Sequence, residues 1–246
     1  LVCLDKLVHA SLIDAARASG AAVRSFPHLQ PDRLERLLTK HAEQAGEVSD
    51  PLTGLARPAR RFVVTDSVFS MDGDAADLRA LLEVCDRHDA TLVVDEAHAT
   101  GLLGDHGSGL AEAQGVAGRI PITISTASKA LGGLGGIVTA DRVVIDTLVN
   151  RARSLIYTTG VPPTQLAAID AALDVIEAEP ERRERLRDLS SRMRSEFADR
   201  GWRLPDASQR TPILPLLAGD LDAAVDLADR LEDRGVVGVA IRPPTV

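Results

Sequence analysis

Aromatic side chains are scarce: one tryptophan, one tyrosine and four phenylalanines among 246 residues. Stacking platforms of the kind that hold single-stranded bases are therefore few. Cysteine is rarer still. Cys3 and Cys85 lie far apart with no metal-type spacing, which excludes a disulfide framework and leads us to expect reduced, buried thiols in a cytoplasmic protein. Excess positive charge is also missing, since 28 Lys and Arg face 36 Asp and Glu for a formal charge of −8. That balance disfavours nucleic acid and anionic membranes as partners. No apolar run approaches the roughly 18 residues of a membrane span. The chain begins Leu-Val-Cys-Leu-Asp, without Met, basic leader or long apolar stretch, and is expected to be a segment of a longer one.

What is present is a small-aliphatic composition, 45% hydrophobic with 26% charged residues, suited to layered α/β packing. Residues 12–19 read as helix ending at Gly20, residues 21–26 as a short strand, and Pro31 opens a helix to about Gln44. The stretch from Gly46 to Arg61, rich in Pro, Gly and charge, reads as a surface loop. Regular alternation follows: strand RFVVTD from Arg61, helix over 77–88, strand over 91–96 and strand over 120–126, the pattern of a parallel sheet. A helix is expected around 141–153, then a turn at 157–163 and one or two long helices over 164–200. The tail reads as strand (213–219), helix (221–235, with Gly235 closing it) and strand (236–241).

In open parallel sheets ligands sit beyond the carboxyl ends of the strands, which directs attention to Ser67–Asp74, Asp95–His98 and Thr126–Gly136. VVDEAH by itself suggests an ATPase strand end, but no G-x-x-x-x-G-K-[ST] phosphate loop occurs. The run G-G-x-G-G at 132–136 has the wrong spacing for a dinucleotide fingerprint. His98 and His106 lack ligand companions, so no metal site is expected. Asp95, His98 and Lys129 each have an ordinary explanation alone, as helix cap, hydrogen-bonder and solvated cation. Together they meet the needs of pyridoxal phosphate chemistry: a lysine for the Schiff base, a carboxylate for the pyridinium nitrogen and hydroxyls for the phosphate.

DKLVHASLIDAARASGA, TDSVFSMDGD, VVDEAHATGLLGDHGSG, TASKALGG, NRARSLIYTTGVPP and AIRPPTV, in this order, resemble the α-oxoamine synthases of the fold-type I pyridoxal phosphate enzymes. The resemblance implies a mainly parallel sheet flanked by helices in a large domain (1–160), then an interdomain helix and a partial small α+β domain (161–246). It implies Lys129 as the Schiff-base lysine, Asp95 opposite the pyridine nitrogen, and His98 and Ser70 on the phenolic oxygen. Thr126 would bind the phosphate, Thr159 the phosphate of a neighbouring subunit in a homodimer, His9 would stack on the cofactor near substrate, and Thr245 would touch substrate. The implied activity joins L-alanine to a pimeloyl thioester of coenzyme A or acyl carrier protein in biotin synthesis. The alternatives are glycine with acetyl-coenzyme A, or a non-catalytic relative. The family's glycine-containing phosphate turn and its carboxylate-binding arginine have no counterpart in these residues, so weak cofactor binding and little turnover are expected of this stretch alone.

Overall fold

The apolar runs assemble into a six-stranded sheet in the computed structural model, which describes residues 1–44, 47–49, 56–204 and 211–242. In chain order come β1 (Val2–Asp5) and β2 (Val23–Phe26), a separate antiparallel pair β3 (Glu47–Ser49) and β4 (Ala56–Pro58), and then β5 (Arg61–Asp66), β6 (Ala90–Asp95), β7 (Ile122–Thr126) and β8 (Gly136–Ala140). The sheet order is β2-β1-β5-β6-β7-β8. All neighbours run parallel except β8, which is antiparallel to β7. Helices α1 (Ala10–Ala18), α2 (Pro31–Gln44) and α3 (Leu78–Arg87) form the early crossovers, and the short α4 (Leu110–Ala113) lies between β6 and β7. After β8 come α5 (Arg142–Arg151), α6 (Arg153–Ile156), α7 (Pro163–Ala178), α8 (Glu181–Asp199) and α9 (Leu221–Glu232).

Helix α3 shows why these residues fold as they do. Asp77 caps it by accepting from the Ala80 amide at 2.9 Å, and Leu78, Leu81, Leu82 and Cys85, spaced for one face, are buried. That face meets β6 and α2, where Leu34, Leu38, Leu92 and Val94 are fully enclosed. Burial pushes both thiols, Cys3 and Cys85, up to about 12. They are inert small hydrophobes.

Two expectations change. The stretch from Gly46 to Arg61 contains a hairpin ladder, Glu47 opposite Pro58 and Ser49 opposite Ala56; three residues per strand are too few for periodicity to reveal. Residues 213–219 and 236–241 are not strands. An apolar run becomes a strand only by pairing, and neither has a partner strand among the described residues. The helix between them forms: Asp220 caps α9 through the Ala223 amide, and Gly235, at φ 74°, lets the Val236 amide return to the Leu231 carbonyl.

The chain divides into two compact units. The first comprises Leu1–Phe69 and Ala75–Glu184, the second Ser70–Asp74 and Arg185–Val246. Within the second, the buried Thr211 hydroxyl donates to the Gly73 carbonyl at 2.6 Å. Gly73 has φ +67°, and a Cβ there would stand 2.7 Å from the Ile213 carbonyl oxygen. Among the described residues, no helix is long and apolar enough to cross a membrane.

Candidate active site

Strand order reverses direction between β1 and β5, because the chain leaves β1 toward β2 and later leaves β5 toward β6. Such a switch point opens a crevice at the carboxyl ends of the strands. A cavity of about 390 Å³ lies there, lined by His9 after β1, Asp66 ending β5, Asp95 and His98 at the end of β6, and Thr126 and Lys129 at the end of β7. Its size suits a small-molecule site.

The glycines after Lys129 make the turn that presents it. Gly132 and Gly135 adopt φ 60° and 129°, conformations that glycine enters without strain. The loop is closed by the Ala127 amide donating to Gly135, the Gly133 amide to Ala127 and the Gly132 amide to Lys129. Lys129 Nζ stands 2.9 Å from His98 Nε2. Burial first, and then the Lys129 charge, hold His98 down to about 4, so its ring is neutral at physiological pH. Burial also lowers Lys129 from the usual ammonium range, although Asp95 and Asp66 oppose that shift. An amine donating to a neutral imidazole nitrogen satisfies both groups.

Adjacent carboxylates in VVDEAH part company. Asp95 accepts from the Ala97 amide at 2.8 Å and faces the cavity. Glu96, only 1% exposed, accepts from the Leu110 and Ala111 amides at 2.9 and 2.8 Å and so caps α4 from the core. The hydroxyl of Ser125, which lines the cavity, meets that of Thr100 at 2.9 Å. On its lip Thr126 and Ser128 do the same at 2.9 Å, leaving a row of hydroxyls beside Lys129.

His9 is the N-cap of α1, its Nδ1 accepting from the Ser11 amide at 3.3 Å and meeting the Ser11 hydroxyl at 2.8 Å. Its own amide donates to Asp66 at 3.3 Å. Asp66 is a site residue that sequence reading missed. It closes RFVVTD and sits opposite Asp95 in the β5–β6 register, which is the signal that an end-of-strand search could have used. Burial pushes its carboxyl up to about 7, the His9 amide opposing and the Asp95 charge adding to the rise.

His9, Asp95, His98, Thr126 and Lys129 are thus brought together. Ser70 falls in the second compact unit, outside this group. Thr159 is exposed in the segment between α6 and α7. Thr245 lies outside the described residues. The donor set fits pyridoxal phosphate: one amine of lowered basicity, one carboxylate beside it, a neutral imidazole, and the hydroxyls of Ser125, Thr126 and Ser128 for an anion.

The profile of the aminotransferase class I and II family matches residues 1–246. A putative 8-amino-7-oxononanoate synthase of Geobacillus kaustophilus is 45% identical over 248 residues, covering 100% of this chain and 59% of the relative. Serine palmitoyltransferase from S. paucimobilis, solved with bound PLP and myriocin, superposes at a TM-score of 0.85 with 28% identity over 96% of this chain and 57% of its own. The 8-amino-7-oxononanoate synthase of Francisella tularensis superposes at 0.79 with 27% identity, over 99% of this chain and 66% of that one. The chain therefore spans somewhat over half the length of the curated relatives it matches.

Proposed function

The chain belongs to the aminotransferase class I and II family over residues 1–246, and from that premise we propose that it carries the cofactor site of an 8-amino-7-oxononanoate synthase. The family depends on pyridoxal phosphate, and the fold is that of its fold-type I enzymes. The proposed reaction joins the α-carbon of L-alanine to the carbonyl of a pimeloyl thioester, releasing carbon dioxide and the thiol of coenzyme A or acyl carrier protein. The observation that carries this reading is Lys129 Nζ at 2.9 Å from a neutral His98, in one cavity with Asp95. Relatives at 40–45% identity bearing the synthase name support the choice of L-alanine and pimeloyl thioester over glycine and acetyl-coenzyme A.

Pyridoxal phosphate, when bound, supplies an electron-withdrawing ring that stabilises negative charge at the amino-acid α-carbon. Lys129 would hold it covalently through Nζ, and the same nitrogen, once free, is the base that takes the α-proton. Its lowered basicity keeps a fraction of the amine unprotonated for that task. Asp95 would pair with the ring-nitrogen proton. His98, remaining neutral, would donate its single N–H to the phenolic oxygen. Thr126, with Ser125 and Ser128 beside it, would bind the phosphate. His9 would stack on the ring and border the substrate, and Thr245 would touch the substrate.

A homodimer, with Thr159 reaching the neighbour's phosphate, is part of the reading. It is supported by Tyr157 at 73% exposure and by the exposed Leu155, Ile156 and Val161 around Thr159, an apolar surface suited to a partner subunit. The free buried thiols suit the reducing cytoplasm. Pyridoxal phosphate added to the full-length protein should give a visible band that borohydride removes and that Lys129→Ala lacks. Turnover should follow with L-alanine and pimeloyl thioester. A missing band overturns the cofactor assignment, and turnover only with glycine and acetyl-coenzyme A overturns the substrate assignment.

A further inference from the structure

The buried carboxyl of Asp66 is left without a task by the proposed reaction. Asp66 is 4% exposed yet lines the cavity. It stands on β5 directly opposite Asp95 of β6, on parallel strands in register, so the two carboxyls share one side of the sheet. Its Oδ1 accepts the amide of His9, the residue that caps α1 and borders the same cavity. Around it stand Asp95 from β6, Asp5 from β1, Lys129 from the loop after β7 and the backbone of His9 from the start of α1. Two carboxylates so placed do not both ionise readily, and the more buried of a pair is the one that keeps a proton.

We propose that Asp66 is a positioning residue of this site: it fixes His9 over the cavity through the His9 amide, as a neutral acid set beside Asp95. The proposal rests on the cofactor reading above for what His9 and Asp95 serve, while the Asp66 contacts stand without it. The physical sequence is short. Burial and the Asp95 charge favour the neutral acid at position 66, in keeping with its rise to about 7. A neutral acid still has oxygen lone pairs for the His9 amide. Asn at this position reproduces the shape and the acceptor without the titration; Ala removes both.

The experiment compares the full-length wild-type protein with Asp66→Asn and Asp66→Ala, first without cofactor. Between pH 5 and pH 8 the melting temperature of wild type should fall relative to Asp66→Asn, because only wild type must ionise a buried acid. An Asn-to-wild-type difference that is the same at both pH values overturns the proton-holding role. The His9 amide should exchange with deuterium about tenfold faster in Asp66→Ala than in Asp66→Asn, the size of one lost hydrogen bond. Equal exchange in the two variants overturns the positioning role. With pyridoxal phosphate added, affinity read from the visible band should drop about tenfold in Asp66→Ala and stay within about threefold of wild type in Asp66→Asn. Wild-type affinity in Asp66→Ala overturns the link to the site. Failure of the full-length wild-type protein to bind the cofactor overturns the cofactor reading instead, and the two measurements made without cofactor then decide Asp66 by themselves.

Discussion

Replacing Glu96 with Ala should unfold the site's supporting wall without touching its lining. The carboxylate is 1% exposed and accepts the amides of Leu110 and Ala111 at 2.9 and 2.8 Å. Each of those donors, stripped of its acceptor inside the core, costs about 1–3 kcal/mol. The gross loss is therefore about 2–6 kcal/mol, offset in part because a buried carboxylate is itself expensive to keep. We expect a net loss of about 3 kcal/mol, read as a lower urea midpoint at unchanged m and a melting temperature lower by roughly 6–12 °C for a chain of this size. Glu96→Gln, which retains one carbonyl acceptor, should lose about 1–2 kcal/mol at acid pH. The pH dependence has a definite sign. Burial raises the folded Glu96 above its ordinary 4.5, so its contribution is complete below that value and declines as pH rises through the higher folded one. The gap between wild type and Glu96→Gln should accordingly narrow from pH 4.5 upward. A change below about 0.5 kcal/mol in Glu96→Ala would refute the assignment of this carboxyl as the α4 cap.

Gly109 offers a second handle on the same contact. It has φ +128°, and a Cβ would stand 2.7 Å from the Glu96 carboxyl; Gly109→Ala should cost at least about 2 kcal/mol in thermal unfolding. In a Glu96→Ala background that cost should shrink, and strict additivity would show that the two positions do not share the contact. The histidines can be followed by NMR. His98 should show no titration from pH 8 to 5 and a midpoint of about 4, moving upward in Lys129→Ala because the Lys129 charge lowers it. His106, hydrogen-bonded to Glu112, should titrate above the ordinary 6.5. A His98 midpoint above 6 in wild type would remove the neutral acceptor from the Lys129 contact.

Much of the fold was readable because its signals are local. Pro31 opens α2, Asp77 and Asp220 cap their helices, and β5, β6 and β7 follow the apolar runs nearly residue for residue. Lys129, Asp95 and His98 could be singled out because parallel sheets place ligands at strand ends, a rule that depends only on element order. The hairpin over β3 and β4 escaped because three-residue strands carry no period, and the apolar tail segments misled because hydrophobicity does not supply a partner strand.

Carboxylates mark the boundary between the two kinds of information. Asp95 and Glu96 are neighbours in one motif, yet one borders the cavity and the other caps a helix whose first residues lie 14 and 15 positions away. Asp66 looks like any strand-end acid until the pairing of β5 with β6 sets it against Asp95 and α1 brings the His9 amide to it. Propensity, capping and spacing act over a few residues and are written along the chain. A carboxyl's charge and task depend on desolvation and on neighbours that only the assembled sheet brings within hydrogen-bonding distance, and that part belongs to the tertiary structure.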